Sequence, residues 1–145
     1  MSLHETKMTL WYWNQVGGTL IEEYVLVSAT AAQGRRAVDG LIILGGEQRR
    51  LPAGSKVDIS DKDVVVVQTK NSRLGMYLMG QALFSAELVK RLNPKSVRSV
   101  ALCIADDSVL RPLLEAYEWC KVVVYPGEPP VNTSLKAEGP DKPRT

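Results

Sequence analysis

Hydrophobic positions change their period several times along the chain, and each change marks an element. Met8, Trp11, Tyr12 and Gln15 recur at helical spacing and predict a short helix over residues 7–15, stopped by Gly17-Gly18. The six residues before it are polar and read as a frayed end. Branched and aromatic residues over 19–27 (TLIEEYVLV) predict a strand, and RAVDGLIIL over 36–44 a second one, ended by Gly45-Gly46. Residues 45–63 carry Pro52, Gly54 and scattered charges; the stretch is too long for a tight hairpin and predicts additional edge structure. The third main strand, residues 64–70 (VVVVQTK), opens on a continuous apolar run that implies burial on both faces.

A long helix is predicted over residues 72–92. Ser72 can cap it, Asn93-Pro94 ends it, and Leu74, Tyr77, Leu78, Phe84, Leu88 and Leu92 form the stripe expected to face the core. A strand over 97–105, a helix over 108–118 and a strand over 120–125 follow. Residues 126–145 are rich in Pro, Gly and Lys with little to bury and read as a disordered tail, which leaves one domain over 1–125. The expected fold class is α/β: an αβββαβ core with an appended αβ unit, a central mixed sheet flanked by helices.

Composition narrows the chemistry. The 145 residues are 45% hydrophobic, enough for one core without disulfides. The single histidine, His4, removes most zinc sites, histidine triads and imidazole bases, so any metal chemistry falls to oxygen ligands. Two cysteines, Cys103 and Cys120, sit in apolar surroundings and suit a reducing, cytoplasmic setting; no run is apolar enough for a membrane span. With 18 Lys+Arg against 16 Asp+Glu the net charge is +2, so contact with nucleic acid would have to be local. The dinucleotide, P-loop and serine-hydrolase signatures GxGxxG, GxxxxGK[ST] and GxSxG are absent.

Against this background a few polar residues stand out. Asp39 interrupts an apolar strand, where an ionised carboxylate needs a partner, a hydrogen bond or a metal; a strand-end Asp paired to Arg35 or Arg36 is the plainer explanation. Gln68 and Lys70, two apart, point to one face at the polar end of the valine strand. Together an acid on one strand and polar-x-Lys on the next supply what phosphodiester hydrolysis needs. The carboxylate holds Mg²⁺ or Mn²⁺, the neighbouring side chain and intervening carbonyl add oxygen ligands, and the lysine orients the attacking water. Glu22 and Glu23 each break an apolar row, and at least one requires a partner. Gln81 falls within the predicted helix stripe.

Asp39 in RAVDG, Gln68-Thr69-Lys70 closing VVVVQTK, and the helix and strand that follow resemble the PD-(D/E)xK, restriction-endonuclease-like nuclease superfamily. The resemblance implies a metal-dependent nuclease acting on DNA, with Asp39, Gln68 and Lys70 in the catalytic centre and Mg²⁺ or Mn²⁺ held by Asp39, Gln68 and Glu23. It departs from the family at Val38, where proline is usual, and at Gln68, where the family has Asp or Glu. The missing charge then falls to Glu23 or Glu22, or activity has been lost and the fold persists as a nucleic-acid-binding or assembly module. Glu5, in the frayed end, and Glu87, off the main stripe, are weaker substitutes. A glutamine on this helix with a tyrosine one turn later marks the RecB-like branch; Gln81 matches the first, while Ser85 stands at the second. Arg35, Arg36 and Arg73 are the expected substrate-binding rim, and a homodimer is a candidate assembly.

Overall fold

Four consecutive valines leave no polar side on β4 (Asp63–Thr69), and the remaining elements cover both of its faces. The computed structural model describes residues 1–127. Among them are α1 (Leu3–Val16), β1 (Thr19–Val27), β2 (Arg36–Ile43), β3 (Arg49–Leu51), β4, α2 (Met76–Lys90), β5 (Ser96–Cys103), α3 (Leu110–Glu115) and β6 (Cys120–Val124). The strands make one mixed sheet in the order β3-β1-β2-β4-β5-β6. β2 runs antiparallel to both β1 and β4, whereas β4, β5 and β6 are mutually parallel, joined by crossovers through α2 and α3. β3, within the stretch expected to hold edge structure, pairs parallel with β1 at the sheet edge.

On one face Val65 and Val67 join Leu20, Ile42, Val100 and Leu102 beneath Met8 of α1. Trp11, Tyr12 and Trp13 pack against the same cluster, and the Trp13 indole donates to the Gly18 carbonyl at 2.8 Å. On the opposite face Val64 and Val66 meet Ile21, Leu41, Ile43 and Val89 of α2; Ala101 and Val122 extend that layer under Leu78, Ala82 and Leu114. Such burial on two faces removes most of the apolar surface from water. Cys103 and Cys120 are buried and unbridged. No helix of the described residues is long and apolar enough to cross a membrane.

Three expectations are corrected. α1 begins at Leu3, because Ser2 and Glu5 form a capping box: the Ser2 hydroxyl accepts from the Glu5 N–H, and the Glu5 carboxylate accepts from the Ser2 N–H. The N-terminal residues are thereby fixed as helix. α2 begins at Met76, not at residue 72: Leu74 N–H donates to the Ala105 carbonyl and Ile104 N–H to the Ser72 carbonyl, holding this segment extended beside the end of β5. The buried face of α2 is Leu78, Ala82, Ser85, Ala86 and Val89, whereas Tyr77 and Phe84, expected in the core, are exposed. Small side chains let the helix approach the sheet closely and turn the larger ones outward. The tail expected over 126–145 lies, from residue 128 onward, outside the described residues.

Candidate functional site

The regular ladder between β2 and β4 ends at Gly40 opposite Val67, and one residue further the two strands are joined by side chains. Thr69 N–H donates to Asp39 Oδ2 at 2.8 Å, and Asp39 N–H makes a longer contact, 3.4 Å, to Gln68 Oε1. The end of β4 is anchored on both faces. Gln68 Nε2 donates to Ser85 Oγ of α2 at 2.7 Å, and the Thr69 and Thr9 hydroxyls bond at 2.8 Å, tying β4 to α1. Gly40 lies close beneath this contact: a Cβ there would stand 3.2 Å from Thr9 Cγ2 and 3.3 Å from Leu20 Cδ1, so even a methyl would require those side chains to give slightly.

Negative charge gathers around Asp39. Burial pushes its carboxyl up from 3.8 to about 6, against the Thr69 N–H that stabilises the ionised form; the charges of Glu23 and Glu5 push it further the same way. Glu23 has a backbone φ of 53°, a left-handed conformation that costs a non-glycine residue about 1 kcal/mol or more. It falls between the pairs Glu22↔Gly40 and Tyr24↔Val38, opposite Asp39, and both strands are irregular there: Ile21 and Tyr24, three apart, enter the same buried cluster, as do Leu41 and Val38. Glu5 is held from the other side. Burial opposes its ionisation, yet the N–H groups of Asn71 and Ser2 and the charge of Lys70 hold it below the usual carboxylate range.

The two candidate glutamates of β1 separate. Glu22 is buried and bonded to the Arg50 guanidinium at 2.6 Å, so it serves the β1–β3 edge and is not brought to Asp39. Glu23 lines a cleft of about 670 Å³ between the β1–β2 edge and α2, together with Arg35, Arg36, Gln68 and Gln81. Gln81 is thus a cleft residue and not part of the core stripe. Lys70 is exposed, and its backbone N–H donates to the Leu102 carbonyl as β4 ends. Arg73 is drawn away from the cleft, bridging to Ala105 and donating to the Asp106 carbonyl.

Among the described residues no three His, Cys, Asp or Glu side chains gather as a ready metal-binding group. The oxygen donors present are of the kind a hard divalent cation takes: Asp39 and Glu23 carry carboxylates and Gln68 an amide oxygen, and of these Glu23 and Gln68 line the cleft. Glu5 and Ser85 are the site residues that sequence reading undervalued. The Ser2-x-x-Glu5 spacing held the signal for Glu5; Ser85 had none beyond its one-turn offset from Gln81. No family model, curated protein or solved structure matches this chain.

Proposed function

We propose that this protein is a Mg²⁺- or Mn²⁺-dependent nuclease acting on DNA, built on a restriction-endonuclease-like αβββαβ core made of α1, β1, β2, β4, α2 and β5. β6 and α3 are appended to one edge of that core and β3 to the other. The observation that carries the reading is the join between Asp39 and the Gln68-Thr69 pair, with Lys70 next along β4 and Glu23 opposite Asp39. The antiparallel–antiparallel–parallel succession β1-β2-β4-β5, with α2 crossing between β4 and β5, supports it.

In this reading Asp39, Glu23 and Gln68 would hold the cation, which would supply positive charge for the scissile phosphate and a lowered pKa for water. Thr69 N–H fixes the carboxylate of Asp39, so the ligand is oriented before substrate arrives. Lys70, on the solvent side of the strand end, orients the attacking water and offsets developing charge on phosphate. Glu5 holds Asn71 N–H and so fixes the turn that carries Lys70; it is a positioning residue. Purified protein should nick DNA with either ion, and Asp39→Ala or Lys70→Ala should abolish this; cleavage surviving in both variants would overturn the assignment.

One observation favours a second reading, in which the site binds without catalysis: both ends of the Gln68 amide are engaged, by Ser85 and by Asp39 N–H. Calorimetric titration separates the two. Heat of Mn²⁺ binding that vanishes in Asp39→Asn supports the nuclease, whereas DNA association with no metal binding supports the module.

A further inference from the structure

The outward side of α2 is unusual for a surface helix. Tyr77 is 74% exposed, Phe84 65% and Met76 75%, and all three line the cleft that contains Gln68 and Glu23. Each is a large apolar group left in water beside others of its kind, which marks a surface that something covers. Between Tyr77 and Phe84 lies Gly80, also on the cleft wall, and a Cβ built there meets nothing within 4 Å. A mid-helix glycine costs about 1 kcal/mol relative to alanine. Backbone geometry does not require it here, because its φ is not in the left-handed region. What the glycine does provide is open space on the cleft wall that Tyr77 and Phe84 also line. Across the cleft stand Arg35 and Arg36, at the start of β2.

Aromatic faces with a gap between them, amides within the same cleft, and arginines on the facing wall are the complement of an unpaired polynucleotide: bases stack on rings, amides meet base edges, and guanidinium groups meet phosphates. Duplex DNA hides its base faces and cannot use such a ledge. We infer that the α2 ledge formed by Tyr77, Gly80 and Phe84, with Arg35 and Arg36 opposite, binds single-stranded DNA and leads an unpaired strand toward Asp39 and Lys70. This inference deepens the nuclease reading by naming its substrate as a strand end, flap or gap. The ledge itself requires only binding.

The test is fluorescence anisotropy with a labelled oligo(dT), performed in EDTA so that no cleavage intervenes. The wild type should bind the oligonucleotide more tightly than a duplex of equal length, and more tightly than a strand of the same phosphates lacking bases. Tyr77→Ala and Phe84→Ala, both at exposed positions, should each weaken oligo(dT) binding by about tenfold, as should Gly80→Phe, which fills the gap. Leu113→Ala, at an exposed position of α3 outside the cleft, should leave it unchanged. Equal affinity for the base-free strand, or unchanged affinity in the aromatic variants, overturns the ledge. So does loss of a dimer in sedimentation velocity on Tyr77→Ala/Phe84→Ala with oligo(dT) affinity intact, because the face then belongs to a second copy of the chain. Metal-dependent cleavage by the wild type, with oligo(dT) affinity unchanged in these aromatic variants, would leave the nuclease and remove the ledge. Oligo(dT) binding without any cleavage by the wild type would do the reverse.

Discussion

Asp39 is held in a state that disfavours its own charge. Its folded carboxyl titrates near 6, above the ordinary 3.8, chiefly because of burial. The folded protein therefore keeps the proton more tightly than the unfolded chain. This group's contribution to stability is full below pH 3.8 and is lost as pH rises through about 6. A shift of about two units is worth at most about 3 kcal/mol. Asp39→Asn removes the titration and retains an acceptor for Thr69 N–H, so it should stabilise the protein by about 1–2 kcal/mol at pH 7.5 while adding almost nothing at about pH 3. Urea unfolding at the two pH values measures this. Saturating Mn²⁺ should raise the wild-type midpoint at pH 7.5 and leave that of Asp39→Asn in place; a shift in both would place the cation elsewhere. At this scale sequence legibility was uneven. Asp39 and Gln68 were conspicuous because polar groups inside apolar strands need partners, which Thr69 N–H and the Ser85 hydroxyl supply. Glu5 is hard to read because the first six residues are polar, and only the Ser2–Glu5 capping-box spacing signals that they are ordered as helix.

Elements are placed by a few polar clamps as much as by apolar burial. β3, only three residues long, is tied to β1 through Arg50 and the buried Glu22 carboxylate. Arg50→Ala would leave that carboxylate buried and unpaired, costing about 2–3 kcal/mol, less than a fully buried pair because Arg50 is partly exposed. Guanidinium denaturation should show the loss, and Glu22→Gln/Arg50→Ala should recover part of it. On α2, Gly80→Ala should stabilise by up to about 1 kcal/mol, since the added methyl meets open space. A higher melting temperature together with weaker oligo(dT) binding would identify Gly80 as kept for the ledge. The strands were legible because four valines and the alternation around them have one consistent placement. The orientation of α2 was not, because a periodicity that counts large side chains cannot register that Ala82, Ser85 and Ala86 set the closest approach to the sheet. Nor does a sequence reveal that residues 72–74 remain extended, since their partners at Ile104 and Ala105 are some thirty residues away.

The whole molecule keeps its net charge near zero and concentrates its unusual features at one end of β2 and β4. Acids cluster at Asp39, Arg35 and Arg36 face the cleft, Lys70 leaves the sheet at the same strand end, and α2 turns aromatic rings outward beside them. The α/β class that the chain pattern suggested is that of the six-stranded mixed sheet, whose element order α1-β1-β2-β3-β4-α2-β5-α3-β6 includes the additional edge strand β3. The proposed nuclease reading and the join of Asp39 to Gln68 and Thr69 meet where the β2–β4 ladder ends. The most direct test of their joint meaning is the rate of phosphodiester cleavage by Lys70→Ala beside the wild type, each purified identically, with Mn²⁺ and a substrate carrying a single-stranded flap. Lys70 is exposed and outside the proposed cation ligands, so its truncation should leave folding and Mn²⁺ binding intact while lowering the rate by about 10²-fold or more. A wild-type rate no greater than that of Lys70→Ala, with Mn²⁺ bound to both, would contradict the assignment of this site to DNA hydrolysis.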